Sequence, residues 1–497
     1  MKSSVAASHR ESSCTTSPVR WLVPSLTHWI WLVLLLLLIS QPWRTMMVAS
    51  DGDACMHWRV GEWMLEHHQI IGADVFSYSR FGEPIVSKEW LAELIFAVAG
   101  RWSGLFGVSV VGALLIATTF ALLHRQLLRE GNAILAATVV TLLAAWAANS
   151  HWLARPHAFS FLFALLWHDA LRRYERSMNA RALAIQLGVL MLLWVNLHGA
   201  FLAGFIILGA YWLGAAITRD RTKLKVLTAV ALECALASLA NPSGYKLHLH
   251  NLAFLHSDFF KGWLAEYSSV RFDSPEAVGF SIWLALMFVV LAVWRPRVSP
   301  GEAVVLISWT YFALYSIRNV PLLTILSAPI ITPALSEFER RKWIDLSLAM
   351  QRVNDGARGW PVVAVVAVVA IGFVRHPTQM PAKDWPVDAL AFIQQHPDQF
   401  AGHMFNQYAW GGYLMQELPE HKVFVDGRTD FYGETLLKEF EQTTALRSNW
   451  VAVLDKYDVA WTLMPSDHRL NLALALLQPQ WSCIYTDSVA AIWRKVE

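Results

Sequence analysis

The sequence predicts a polytopic α-helical membrane protein that ends in a small soluble α/β domain. Of the 497 residues, 55% are hydrophobic and only 16% are charged, whereas about a quarter of the residues in a soluble globular domain are charged. The 25 tryptophans suit the two membrane–water interfaces, where this side chain accumulates. The formal net charge is +2 and no basic stripe runs along the chain, so nucleic acid is not an expected partner.

The first membrane span is predicted at 21–39, which is long enough to cross a bilayer as a helix. Further apolar runs bring the expected count to about eleven spans; they cover residues 104–123, 133–148, 158–171, 182–197, 200–217, 226–240, 279–294, 303–317, 320–335 and 361–374. Several runs are shorter than the ~20 residues that a span prefers, so we expect some helices to tilt or to enter the membrane without crossing it.

Basic residues predict how these spans are oriented. If residues 1–20 form a cytoplasmic tail, the alternating loops that follow on the cytoplasmic side contain most of the arginines and lysines. Loops on the other side have few, as the positive-inside rule requires. The same alternation places the long first loop, residues 42–103, and the C-terminal end outside the cytoplasm.

Composition divides the chain into a membrane domain, residues 21–375, and a C-terminal segment, residues 376–497. Within the first outside loop, apolar residues at helical spacing predict amphipathic helices that lie in the membrane surface. The C-terminal segment has strand patterns at 422–425, 459–464, 482–486 and 490–493, which alternate with helical patterns at 387–395, 433–444, 447–456 and 469–477. This alternation predicts a small extracytoplasmic α/β domain.

A carboxylate pair, Asp51 and Asp53, follows the first span on its outer side. Two carboxylates at the membrane interface are well placed to hold a metal near a lipid head group or to take a proton from a substrate delivered in the membrane. The pair is our candidate catalytic site, acting as a base or as ligands of a divalent cation such as Mg²⁺ or Mn²⁺. The structural alternative is that Ser50 or Asp51 caps the next helix and that acidic side chains in its first turn interact favourably with the helix dipole.

Other outward-facing junctions also present polar side chains. An arginine guanidinium can bind two phosphate oxygens at once, and histidine and lysine can also donate to phosphate. The candidate donor-phosphate residues are therefore Arg155, His157, Arg318 and Lys246. Candidate substrate-binding residues are His57, His198, Glu266, Trp410 and Arg428. The alternatives are that Arg155 reaches lipid head groups, that Trp410 belongs to the core of the C-terminal domain, and that interfacial loops are simply polar.

Several motifs together resemble bacterial membrane glycosyltransferases of the GT-C class: Asp51-x-Asp53 with His57, Lys88-Glu89-Trp90-Leu91, Arg155-Pro156-His157, Trp194-x-Asn196-x-His198-Gly199 and Asn241-Pro242-x-Gly244. The C-terminal stretch with Trp410-Gly411-Gly412-Tyr413 and Asp426-Gly427-Arg428 resembles the soluble domain of members of this class. The resemblance implies a bacterial inner-membrane enzyme that moves a sugar from a polyprenyl-phosphate-linked donor to a lipid, glycan or protein acceptor on the outer face. A polysaccharide polymerase or ligase, a polytopic transporter and a non-catalytic scaffold are the alternatives.

Overall fold

A computed structural model of the chain describes residues 21–50, 52–375 and 378–496. The predicted cytoplasmic tail, residues 1–20, and the candidate catalytic residue Asp51 lie outside the described residues. The helices are α1 (Leu26–Ile39), α2 (Trp43–Ala49), α3 (Asp53–His67), α4 (Trp90–Arg129), α5 (Ile134–Ala147), α6 (His157–Ser177), α7 (Ala180–Leu197), α8 (Leu202–Ile217), α9 (Arg221–Ala237), α10 (Tyr245–His256), α11 (Asp258–Trp263), α12 (Val278–Val289), α13 (Pro300–Tyr315), α14 (Val320–Lys342), α15 (Ile344–Gly356), α16 (Trp360–Val374), α17 (Val387–Gln395), α18 (Gly411–Glu417), α19 (Thr429–Thr444), α20 (Trp450–Lys456) and α21 (Arg469–Ala475). The strands are β1 (His403–Asn406), β2 (Val459–Pro465), β3 (Trp481–Thr486) and β4 (Ala490–Lys495).

The apolar runs form helices, but the expected count of eleven spans is not confirmed. Within the described ranges, five helical segments are long and apolar enough to cross a membrane: Trp90–Arg129, Ala180–Leu197, Gly199–Ile217, Pro275–Trp294 and Ile317–Lys342. Two bent pairs, α1 with α2 and α15 with α16, raise that number to seven if each pair is one span. Helix α5 has 14 residues and is therefore about 21 Å long, which is less than the hydrocarbon core of a bilayer. The chain is thus a multi-pass membrane protein with fewer full-length spans than we expected.

The first outside loop is covered by protein instead of lying in the membrane surface. Met56, Val60 and Met64 form the expected apolar stripe of α3, and all three are buried. Helix α3 packs against α4 on one side and against α18 of the C-terminal segment on the other. The predicted second surface helix is continuous with the next span in α4, which is kinked at Ser103 and Gly104. The amphipathic pattern therefore predicts the helix correctly, but the apolar face of the helix packs against other helices.

The C-terminal segment contains a four-stranded mixed sheet in the order β1-β2-β4-β3. Strand β1 is parallel to β2, and the other two pairings are antiparallel. The predicted strands near 459–464, 482–486 and 490–493 are present, whereas the four-residue strand β1 was not predicted. The small α/β character of this segment follows from the sheet and its flanking helices, and its independence as a domain stays a prediction.

The predicted strand at 422–425 does not join the sheet, and Val423 forms only an isolated parallel bridge with Ser77. The Asn406 side chain accepts a hydrogen bond from Phe424 N at 2.8 Å and donates one to Val425 O at 2.9 Å. Val423 bonds instead to the first outside loop, where Tyr78 N donates to Val423 O at 3.1 Å. These partners satisfy backbone groups of residues 423–425. Since they come from both regions, the segment connects the C-terminal segment to the first loop.

Glycines bring the C-terminal segment close to the beginning of α3. A Cβ atom on Gly412 would overlap the carbonyl oxygen of Gly52, and one on Gly52 would lie 2.7 Å from Ala409 O. Real Cβ atoms do not approach that closely, so backbone meets backbone here because neither residue has a side chain. This contact places the Gly411-Gly412 pair directly beside the residue that precedes Asp53.

Candidate functional site

A cavity of about 1010 Å³ opens between the C-terminal segment and the ends of the membrane helices that lie next to it. Eight candidate site residues line it: Asp53, His57, Arg155, His157, His198, Glu266, Arg318 and Arg428. One wall is apolar and includes Leu202, Ile206, Trp309, Phe312 and Leu322. The cavity therefore combines a charged region with a surface suited to hydrocarbon.

Two candidate residues are placed away from this cavity lining. Lys246 is exposed on α10. Trp410 is buried at 5% exposure and packs in the hydrophobic core beside Tyr413 and Leu414. The core interpretation of Trp410 therefore fits its surroundings better than sugar stacking, which needs an exposed ring face.

Carboxylates and arginines alternate at the charged end of the cavity. Arg155 Nη1 lies 3.0 Å from Asp53 Oδ2 and 3.8 Å from Glu266 Oε2. Arg318 Nη1 lies 3.0 Å from the other oxygen of Glu266, and its guanidinium stacks over the Tyr267 ring at 4.5 Å. Helix α3 and three separate junctions between helices thus converge, so the structure brings Asp53, Arg155, Glu266 and Arg318 together.

The two carboxylates of this cluster differ in their proton affinity. Burial raises the pKa of Asp53 to about 6, and the neighbouring Glu266 and Asp426 act in the same direction. Burial also opposes ionisation of Glu266, but Arg318 and Arg155 hold its pKa below the usual value. Glu266 is therefore a lasting negative charge near neutral pH, while Asp53 has the proton affinity expected of a general base.

A second cluster of histidine and glutamate lines the adjacent wall. His57 Nδ1 donates a hydrogen bond to Glu93 Oε1 at 3.3 Å and lies 3.9 Å from Glu89 Oε2. His198 Nε2 lies 3.5 Å from Glu89 Oε1, and the other ring nitrogen of His198 is hydrogen-bonded to Ser160 at 2.8 Å. Burial would lower the pKa of His57, but Glu93 and Glu89 raise it above the usual value.

The positions of these side chains follow from local helix geometry. Glu89 occupies the N-cap position of α4 and Glu93 follows four residues later, so both carboxylates lie on one side of its first turn. Gly61 allows α3 to approach α4 closely, because a Cβ atom on Gly61 would overlap the Glu93 carbonyl oxygen. Ligand atoms of His57, Glu89 and Glu93 all lie within 4.8 Å of one another. These three residues could therefore hold a divalent cation.

A third charged contact joins three distant parts of the chain at the cavity. Asp430 Oδ2 lies 2.5 Å from Lys88 Nζ and 2.6 Å from His250 Nε2. Burial would raise the pKa of Asp430, but Lys88 and His250 lower it far below the usual value. The carboxylate therefore connects the first outside loop, α10 and α19 as a permanent negative charge.

The Arg428 guanidinium is held by the protein's own carboxylates. It donates to both oxygens of Asp426 at 2.8 and 2.6 Å and to Asp74 Oδ1 at 2.5 Å. Tyr432 also donates to Asp426, at 2.5 Å. Asp74 and Asp426 are fully buried. Arg428 thus braces the Asp426-Gly427-Arg428 turn beside the cavity, although the sequence analysis assigned it to substrate binding.

Sequence reasoning did not assign Lys88, Glu89, Glu93, His250 or Asp430 to the site. The spacing of Glu89 and Glu93 was a usable signal, since residues four apart share a helix face. Lys88 and Asp430, by contrast, are 342 positions apart, and no local pattern shows that they meet.

Comparison with known families finds no family model that matches the chain, and comparison with curated proteins finds no match either. Comparison with solved structures does find similar folds. The oligosaccharyltransferase AglB from Archaeoglobus fulgidus, in complex with an inhibitory peptide and a dolichol-phosphate, matches with a TM-score of 0.61 and 14% identity over 88% of this chain and 69% of that one. The apo form of the Archaeoglobus fulgidus oligosaccharyltransferase matches with a TM-score of 0.58 and 14% identity over 88% and 70% of the two chains. The same enzyme tethered to an acceptor peptide containing the NVT sequon matches with a TM-score of 0.56 and 14% identity over 95% and 74%.

The chain therefore shares its fold with the Archaeoglobus fulgidus oligosaccharyltransferase, over 88–95% of its own length. At 14% identity the likeness establishes architecture, and activity has to be argued from this chain's own site.

Proposed function

We propose that the protein is an integral-membrane glycosyltransferase that moves a sugar from a polyprenyl-phosphate-linked donor to a lipid, glycan or protein acceptor on the outer face of a bacterial inner membrane. The observation that carries the proposal is the chain of contacts Asp53–Arg155–Glu266–Arg318 inside a cavity with an apolar wall. On this fold, that arrangement offers a base, positive charge for phosphate and a surface for lipid.

The donor would bind with its lipid along the apolar wall and its phosphate between Arg155 and Arg318. Both guanidiniums already contact a carboxylate, Glu266, at 3.8 and 3.0 Å. A phosphate offers the same kind of oxygen with more charge, so it competes well for the arginine forks. As the bond from the anomeric carbon to the phosphate oxygen breaks, negative charge grows on the phosphate and the arginines stabilise it.

Asp53 would act on the acceptor. Its raised pKa of about 6 lets it remain ionised near neutral pH and still accept a proton as the acceptor attacks the anomeric carbon. Asp51, the other carboxylate of the pair, would also act as a base or as a metal ligand.

A divalent cation is the proposed cofactor. Such an ion would neutralise phosphate charge, and two sets of residues are available to hold it: the Asp51–Asp53 pair, and His57 with Glu89 and Glu93. A ligand set that includes imidazole favours a transition-metal ion such as Mn²⁺ over Mg²⁺, which prefers oxygen ligands.

The decisive experiment compares Asp53→Asn with Asp258→Asn in purified protein supplied with labelled polyprenyl-phosphate sugars and an acceptor extract. Asp258 is the first residue of α11 and its side chain is 97% exposed, so it serves as the matched control. Loss of a general base typically lowers a rate by ~10²–10⁴-fold, and we expect that loss for Asp53→Asn alone. Transfer at the wild-type rate by folded Asp53→Asn protein would contradict the proposal.

The same assay separates the alternatives. A glycosyltransferase releases polyprenyl phosphate as it consumes the donor. A polymerase or ligase would also consume a lipid-linked donor, but its product would be a lengthened or transferred polysaccharide. A transporter would move its substrate and leave the bond between sugar and phosphate intact.

A further inference from the structure

We infer that Gly427, in the turn Asp426-Gly427-Arg428 of the C-terminal segment, is a positioning residue that sets the orientation of the Asp53 carboxylate. This inference rests on the proposed function, in which Asp53 is the catalytic base. It gives the C-terminal segment a direct part in catalysis, although Gly427 lies 374 residues after Asp53 in the sequence.

The first observation is the contact itself. A Cβ atom on Gly427 would overlap Asp53 Oδ1, and it would lie 2.9 Å from Asp53 Cγ and 3.4 Å from Met56 Sδ. The other oxygen of Asp53 faces Arg155 Nη1 at 3.0 Å. The carboxylate is therefore confined between a guanidinium on one side and the Gly427 backbone on the other.

The second observation is that the turn is rigidly braced. Asp426 Oδ1 accepts from Arg428 N at 2.9 Å and from Arg428 Nε at 2.8 Å, which closes the turn on itself. Arg428 Nη1 then donates to Asp74 of the first outside loop at 2.5 Å. These buried, charge-assisted hydrogen bonds fix where the backbone of Gly427 lies.

The third observation is that the segment is docked on α3 at a second point. Gly412 meets the Gly52 carbonyl so closely that a Cβ atom would overlap it. Cys55 of α3 is fully buried and has Tyr413 of α18 among its neighbours. Docking at Gly412 and bracing through Arg428 together leave the turn little freedom to yield to an added methyl group. The methyl group would therefore displace Asp53.

The test is Gly427→Ala, with Gly72→Ala as the matched control. Gly72 lies in the first outside loop and has nothing within 4 Å of its Cβ position, so an added methyl group should be tolerated there. Misplacing a reacting group by about 1 Å can lower a rate by ~10²-fold. We expect Gly427→Ala to lower kcat by about that factor with the donor KM unchanged.

Labelling of Cys55 by a maleimide, with the other three cysteines replaced by alanine, reports whether the segment stays docked. Gly411→Ala is the positive control, because its Cβ atom would overlap the Val425 carbonyl oxygen inside the C-terminal segment. Cys55 should become reactive in that variant and stay protected in Gly427→Ala.

Three results would overturn the inference: wild-type kcat in Gly427→Ala, a change confined to KM, or a loss of kcat accompanied by exposure of Cys55. A wild-type protein that transfers no sugar would instead refute the proposed function, and the positioning role with it. Active wild type beside an equally active Gly427→Ala protein would refute the inference alone.

Discussion

The buried Arg428 network allows a quantitative prediction for Arg428→Lys. Arginine makes three short hydrogen bonds here, two to Asp426 and one to Asp74, at 2.5–2.8 Å. A lysine ammonium keeps the charge but can follow only one of these directions well, so about two charge-assisted bonds are lost. At roughly 1.5–3 kcal/mol each, and with some water able to replace them, the local free energy of opening should fall by about 3 kcal/mol.

Hydrogen exchange measured by mass spectrometry is the suitable assay, because amide exchange reports local opening even where global unfolding is irreversible. A change of about 3 kcal/mol corresponds to ~150-fold faster exchange in a peptide covering 423–432. Arg447→Lys is the control: Arg447 pairs with Glu441 in the same segment, but its side chain is 61% exposed. Exposed ion pairs contribute little, so the control should change exchange by less than about fivefold. Equal, small effects of both variants would refute the reasoning.

Further predictions concern the phosphate and cation sites. Arg318→Ala should raise the donor KM by ~10–100-fold because a charged hydrogen bond is lost, whereas exposed Lys246, replaced by alanine, should stay within about twofold; donor titrations measure both, and equal KM values would remove Arg318 from the phosphate site. Glu93→Gln should require at least about tenfold more Mn²⁺ to restore transfer after chelation, because one of the three clustered ligands is weakened. Unchanged metal dependence in that variant would leave the Asp51–Asp53 pair as the proposed cation site. Arg155→Lys should slow transfer by about tenfold or more, since a point charge does not reproduce the fork, and a wild-type rate in single-turnover measurements would argue against its role.

The helical membrane architecture was predictable because it depends on local properties. Apolar runs must hydrogen-bond internally in a bilayer and therefore form helices, and the runs of this chain do so. Their length was less informative for counting spans, since helices such as α5 stay short. Local alternation likewise identified three of the four strands, whereas β1 has four residues and no sufficient pattern of its own.

Candidate site residues could be predicted where a polar side chain lies close in sequence to an apolar helix. Polar positions at the ends of apolar helices identified Asp53, Arg155 and Arg318, and a polar position in the loop 241–278 identified Glu266; the structure brings all four to one cavity. The partners of each residue were not predictable in this way. Nothing near Arg428 in the sequence indicates that its guanidinium forms an ion pair with Asp74, which lies 354 positions earlier.

The sequence by itself therefore determined the membrane class, the helices and the side of the molecule on which polar groups gather, because hydrophobicity and helical periodicity act over a few turns of chain. Tertiary structure alone decided that the α3 stripe packs under α18, that residues 422–425 leave the sheet for Asn406 and the first loop, and that Gly427 lies against Asp53. Each of these outcomes includes a contact between residues 52–78 and the C-terminal segment. Such close contacts depend on how whole helices pack and on the space that a glycine leaves. A local sequence pattern predicts neither of these.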